Sequence, residues 1–469
     1  MPASVAILLT VVFVVGAILW DVRRSRDVSP ATWIPVLWIA IIGSRFVSQW
    51  LQLGNPGATQ NVTDGSPLDA AYFMFVILCA LIVLVRRRIK LAEIVRNNAW
   101  LFAFFLFSFI SIAWSDFPFI AFKRFVKTMG HPLVALVILT DPNPSSALRA
   151  VLRRCAFFLL PTSILFIKYL PEYGRGFDSW LGTAYNQGVM ITKNDLGCMT
   201  MIFSIFFVWV LLSRRNLADV RSRRIEMLAS LGLLSMALWL LAISDSATSL
   251  MCMVLGTAVM LALGLPFVNK RYVGTYVVTA IALVILTEVS FGVYATVIEM
   301  LGRDPNLTDR TDVWIDALKL QPNVVLGAGF ESFWLGSRLE AMWAKWWWRP
   351  SQAHNGYIET YLNLGAVGVF LLTGMLVSTF RKICARLESD FEIGRLRLAF
   401  LFVLIAFNYT EASFKALHPM WTVFYLIALD YPKRSTSAAP SDAEAGGRRR
   451  REPKRVIRYG EQVVGRSRT

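Results

Sequence analysis

About thirteen stretches of this chain are apolar over a length that reaches or approaches the 20 residues a bilayer-spanning helix needs, and no other feature limits the fold so tightly. They lie near Ser4–Trp20, Ala31–Leu51, Ala70–Val85, Asn98–Trp114, Val126–Thr140, Val151–Leu170, Asp195–Leu212, Glu226–Ile243, Thr248–Val268, Tyr272–Met300, Tyr357–Phe380, Leu398–Phe414 and Trp421–Tyr431. Val126–Thr140 and Trp421–Tyr431 are the shortest. In hydrocarbon every backbone N–H and C=O must be paired within the protein, so segments of this kind are read as helices. Composition agrees: 17% of residues are charged, where soluble domains carry about a quarter, and mean hydropathy is +0.53. The expected fold is an all-α polytopic membrane protein of about 12–13 transmembrane helices with one large loop. Four regions follow. Residues 1–301 are a transmembrane bundle of about ten helices, 302–356 the loop with short helices, and 357–431 the C-terminal transmembrane helices. Residues 432–469 are a basic tail, rich in Ser, Ala, Pro and Arg, with the composition of a disordered segment.

The net charge of +17 could point to nucleic acid, but the basic residues concentrate in alternate short connections and in the tail. That is the pattern of positive-inside topology, so no nucleic acid is expected. Arg23, Arg24 and Arg26, then RRRIK at Arg86–Lys90, Arg149/Arg153/Arg154, the run Ser213–Arg224, Lys270/Arg271 and RKICAR at Arg381–Arg386 fall on the inner side. The tail with Arg448–Arg451 joins them. It can attract anionic head groups, or simply be a solvated segment that fixes orientation. The N-terminus then faces out, and so does the loop from Gly302 to Tyr357. The first apolar run has no basic residue before it and is read as a retained helix. Five scattered cysteines, with no CxxC pair, describe neither a disulfide framework nor a zinc site.

Cations on the outer side work against this topology and need another reason. They are Arg45, Lys123, Arg124, Lys127, Arg175 and Lys193, with Arg303, Arg310 and Arg349 in the large loop. Ionisable groups at membrane depth tend to face a cavity, and guanidinium forks match phosphate oxygens. The alternative is that they snorkel to lipid head groups, which suits Arg175 and Lys127. Arg45 stands apart because Gly43 and Ser44 precede it and Ser48 and Gln49 follow in an otherwise apolar helix. In LTDRTDVW, Thr308 or Asp309 can cap a helix whose first turn carries Arg310 beside free backbone N–H groups. Asp309 and Asp312 could instead hold that arginine in place.

His354, in AHNGY at the border of the polar loop and an apolar helix, can accept a proton from a sugar hydroxyl or hydrogen-bond a diphosphate. His131 and His418 keep structural readings. Gly327-Ala328-Gly329-Phe330 lacks the strand and spacing of a dinucleotide loop and reads as a turn. WAKWWWRP (Trp343–Pro350) reads as an interfacial anchor, with sugar stacking as the lesser alternative. No carboxylate or histidine cluster in the outer loops has metal-ligand spacing, so no metal is expected.

With these residues in place, the chain resembles the O-antigen ligase and polysaccharide polymerase superfamily, particularly its ExoQ-like exopolysaccharide branch. The carriers are, in order, SRFVSQWL around Arg45, SIAWSDFP around Trp114, KND at Lys193–Asp195, SDSATSL after Ser244, LTDRTDVW, GAGFESF and AHNGYIETYLNLGAVG. Together they run from the second helix to about Gly368. The resemblance implies a GT-C-like fold in a bacterial inner membrane, multi-pass, with the large loop and active site facing the periplasm. It implies an undecaprenyl-diphosphate-linked oligosaccharide donor, a glycan acceptor, no cofactor and no nucleotide sugar. Arg310 and His354 match the arginine and histidine on which family ligases depend, with Arg45 and Arg303 as companions. Arg124, Lys193, Asn355 and Tyr357 complete the expected substrate-binding set. Asp309 departs from the family, which more often has glycine there, and the outward N-terminus departs from relatives with twelve helices and both ends inside.

The function expected is an inverting glycosyltransferase that polymerises lipid-linked repeat units, the inverting label coming from the resemblance alone. A polysaccharide chain-length regulator is a candidate partner besides the lipid bilayer. The alternatives are a ligase that transfers the glycan to lipid A core, and a transporter. A transporter would place polar residues near helix centres, whereas here the centres are largely apolar. An assembly scaffold would leave the outer cations without a task.

Overall fold

Helices occupy all thirteen apolar segments in the computed structural model, which describes residues 1–51, 65–178, 182–213, 220–291 and 310–431. Among the described residues seven helices are long and apolar enough to cross a membrane, or eight if the bent pair Leu91–Asn97 and Ala99–Trp114 counts as one span. The only strands described, Arg175–Asp178 and Thr183–Asn186, form one antiparallel hairpin with Arg175 opposite Asn186. Residues 1–431 form one unit. The chain is an all-α polytopic membrane protein, as its apolar segments require.

Burial sorts the helices into a centre and a periphery. In Pro144–Tyr169 and Lys193–Ser213, 83% of the apolar window is buried inside the protein, against 6% in Ala3–Arg24. An exposed face carrying Leu8, Leu9 and Val12 suits acyl chains and not water. The central helices carry a wholly buried aromatic cluster, Phe203, Phe206, Phe207 and Trp209.

Charged and polar pairs tie the helices together at one end. Buried Asp21 accepts hydrogen bonds from Arg153 Nε (2.5 Å) and Arg154 Nε (2.6 Å). Arg87 pairs with Asp141 (3.3 Å), and Lys382 donates to Asn98 Oδ1 (2.8 Å). All these partners come from connections that the charge pattern assigns to one side.

Three segments depart from plain helices, each for a local reason. The expected helix Ala31–Leu51 is two, Trp33–Ile42 and Val47–Leu51. At the break the Ser44 hydroxyl donates to Ala40 O (2.6 Å), and Ser48 turns to Asp69 through its N–H (2.9 Å) and hydroxyl (2.6 Å). Asn98 bends the next pair by 99° by bonding Ile94 O (2.8 Å) and Asp430 O (3.1 Å). Gly365 opens the helix Gly356–Arg386 with φ +62°, so Ala366 and Val367 donate to Val324 O and Val325 O instead of their own helix.

That opening is where the large loop docks. Gly327–Phe330 is a turn, as expected, and Ala328 N and Gly329 N donate to Leu362 O and Asn363 O across the same break (3.0 and 2.9 Å). The helices Arg310–Lys319 and Gly336–Lys345 enclose a small core of Val313, Ala317, Phe333, Leu339 and Met342. Most of the tryptophans in the run pack against this core. Trp343, Trp346 and Trp348 pack against it, Trp343 Nε1 donates to Pro350 O (2.9 Å), and Trp347 alone of the run is well exposed, at 63%.

Candidate active site

Arg310 opens the helix Arg310–Lys319 and reaches the far end of another, donating from Nη1 to Thr410 O. Its Nη2 lies 3.4 Å from Oε1 of Glu411, the residue that ends the helix Phe391–Thr410. The other carboxylate oxygen, Oε2, lies 3.2 Å from Nδ1 of His354. Asn194, beside Lys193, donates to Glu411 Oε1 (2.9 Å). One buried carboxylate thus joins both residues on which the family resemblance centred.

The proton arrangement follows from these contacts. Burial opposes ionisation of Glu411, but the hydrogen bond from His354 and the positive charges of Arg310 and Lys415 outweigh it and hold the carboxyl below the usual range. An ionised carboxylate accepts only, so His354 carries its proton on Nδ1 and donates to Glu411; this tautomer is assigned from the network. Nε2 then presents a lone pair, and no hydrogen bond among the described residues reaches it. The side chain is 25% exposed, enough to meet a substrate.

The segment around His354 is held from both sides. His354 itself has φ +50°, an uncommon state for a residue with a side chain. Before it, Ala353 N donates to buried Glu359, which also accepts from Trp334 Nε1 (2.9 and 3.0 Å). After it, Asn355 Oδ1 caps the next helix by accepting from Tyr357 N (2.9 Å) and Ile358 N (3.0 Å), while Nδ2 donates to Tyr409 O (3.0 Å). Tyr357 donates from its hydroxyl to Ile405 O (2.9 Å). The structure therefore engages Asn355 and Tyr357 with backbone groups next to the site.

The other expected residues are less closely joined. Arg124 donates to Glu331 O, and Glu331 in turn accepts from Ala416 N, so it touches the same end through the 415–418 strap. Lys193 lies 4.0 Å from Asp245 and over the Tyr185 ring (5.9 Å). Arg45 donates to Tyr173 O and stacks on Phe166 (5.8 Å). Arg303 lies outside the described residues. No group of three or more His, Cys, Asp and Glu among the described residues could hold a metal ion.

Sequence reasoning missed Glu411, Lys415, Asn194 and Gln352. Lys415 Nζ donates to Gln352 Oε1 (2.6 Å), which leaves the Gln352 amide nitrogen packed 3.3 Å from His354 Nδ1, a contact of two donors and not a hydrogen bond once Nδ1 carries its proton. The available signal was NYTEASFKALHP, with a carboxylate inside the expected span Leu398–Phe414 and an ammonium just past its end, in the outer connection.

Residues 231–373 match the O-antigen ligase family. The matched stretch is less than half of the chain. It holds Arg310, His354, Asn355 and Tyr357, whereas Arg45, Arg124, Lys193, Glu411 and Lys415 come from outside it. The chain is also 28% identical over 313 residues to the exopolysaccharide production protein ExoQ of Rhizobium meliloti (strain 1021). The alignment covers 62% of this chain and 66% of that protein, just under two thirds of its length. The resemblance read from the order of the motifs is borne out by both matches.

Proposed function

We propose that this chain is a metal-independent, inverting glycosyltransferase that joins undecaprenyl-diphosphate-linked repeat units into a polysaccharide at the periplasmic face of a bacterial inner membrane. The observation that carries the reading is the junction of His354 and Arg310 on Glu411. A hydroxyl of the acceptor glycan gives its proton to His354 Nε2, and its oxygen bonds to the anomeric carbon of the donor. The bond from that carbon to the diphosphate oxygen breaks, and undecaprenyl diphosphate leaves with the electron pair. Glu411 stabilises the imidazolium that forms, while Arg310 faces the negative charge gathering on the leaving group. Attack opposite the leaving group inverts the anomeric centre. The match of the family domain to O-antigen ligase favours a second acceptor, lipid A core, for the same chemistry.

Purified protein in liposomes with one lipid-linked repeat unit and lipid A core tests the proposal. Longer glycan chains support the polymerase, product on lipid A supports the ligase, and flux of the lipid-linked unit without new glycosidic bonds overturns both.

A further inference from the structure

Between the helix break at Gly43–Phe46, the turn before Asp195 and the 415–419 strap lies a cavity of about 220 Å³. It is smaller than the roughly 300–1,000 Å³ of sites for drug-sized ligands, so it suits a single small ring. Its walls are mostly apolar, with Ile42, Phe46, Met190 and Met199 among them, and Asp195 and Lys415 line it too. Among the described residues no ion pair joins these two. Asp195 Oδ2 accepts from Thr192 (2.8 Å), and no hydrogen bond among the described residues reaches Oδ1. Lys415 uses one of its three N–H groups on Gln352 (2.6 Å). His418, also in the lining, accepts from Met420 N at Nδ1 (3.2 Å) and is therefore uncharged.

One carboxylate and one ammonium cancel. A diphosphate would need a net positive lining, and a prenyl chain would leave the open hydrogen-bonding positions of both charges unmet. An uncharged polyhydroxyl ring satisfies both conditions, since it offers hydroxyls to a donor and an acceptor and C–H faces to the apolar walls. We propose that this cavity is a subsite for one uncharged sugar ring of the glycan, with Asp195 accepting from one hydroxyl and Lys415 donating to another. The Lys415–Gln352–His354 contacts connect the subsite to the proton acceptor, so an occupied cavity registers the glycan against His354. The ring belongs either to the donor repeat or to the acceptor, and this assignment rests on the glycosyltransferase reading.

The test uses the full chain in liposomes, with lipid-linked repeat unit extracted from the producing bacterium as donor. The acceptor is the same repeat on a short water-soluble aglycone, which accepts but cannot donate. Asp195→Asn is expected to raise KM for one of the two by about 10- to 100-fold, the loss of a charge-assisted hydrogen bond, with kcat within a few-fold, and Lys415→Gln to raise the same KM. The substrate whose KM rises identifies the source of the ring. Met199→Trp, which fills the cavity, is expected to raise the same KM in protein that still unfolds cooperatively. If wild type extends the glycan and both KM values stay within about twofold in all three variants, the subsite is wrong while the glycosyltransferase stands. A wild type that forms no glycosidic bond removes the reading on which the subsite rests.

Discussion

His354 and Glu411 are 57 residues apart in sequence, and Nδ1 of one lies 3.2 Å from Oε2 of the other. The contact orients the imidazole, fixes which nitrogen is free, and places a negative charge where a positive one would form on proton transfer. Arg310 shares the same carboxylate, so a single side chain couples the proposed proton acceptor to the proposed stabiliser of the leaving group.

Replacing Glu411 by Gln keeps the shape and removes the charge. With the His354 tautomer no longer fixed, kcat in the liposome assay is expected to fall by about 10²- to 10⁴-fold, with KM little changed. A change in KM alone would mean that Glu411 only shapes the binding surface.

The same carboxyl makes stability depend on acid. Its folded pKa is held below the ordinary 4.5, so the unfolded chain takes up the proton first as pH falls. The stabilisation is complete above pH 4.5 and is lost as the pH drops further, through the folded value. Thermal unfolding of wild type should therefore hold steady above that point and fall below it, and Glu411→Gln should remove this part of the decline. An identical acid profile in the variant would contradict the pairing.

Much of this was legible in the sequence, and the rest was hidden for definable reasons. Spans were legible because hydrocarbon demands long apolar runs, and Arg310 and His354 because polar residues stand out beside them. Glu411 and Lys415 were not, since their partners lie far along the chain, and Glu411 also falls inside the span Leu398–Phe414 that the apolar pattern draws. The break at Ser44 depends on a hydroxyl bonding its own helix, a choice that composition does not fix. The packing of the tryptophan run was not legible, because the same aromatic residues that anchor a protein to a bilayer also fill a small core.

The docking of the loop rests on Gly365. Its φ of +62° favours glycine, and an added Cβ would overlap Val325 O on the loop segment that fills the break. Gly365→Ala is expected to destabilise the loop by about 1–3 kcal/mol and to lower turnover. Limited proteolysis within 310–355 reads this directly, and unchanged protection would show that the loop is held elsewhere.

His131 holds the strap that carries Lys415. Its Nε2 accepts from Leu417 N (3.1 Å) and its Nδ1 bonds Thr422 Oγ1 (2.7 Å), while Leu417 sits at φ +62°. Removing that acceptor with His131→Phe should lower activity, and His131→Gln, which can still accept, should restore most of it. Leu417→Gly, which relieves the left-handed conformation, should partly rescue His131→Phe. Failure of both rescues would mean that His131 acts through bulk packing alone.

The central claim is that His354 and Arg310 perform the glycosyl transfer, and single-turnover extension of a lipid-linked repeat tests it most directly. Wild type should release one undecaprenyl diphosphate for each glycosidic bond formed. His354→Ala and Arg310→Ala should each slow that step by about 100-fold or more, in protein that unfolds like wild type. Extension at the wild-type rate by either variant would contradict the account.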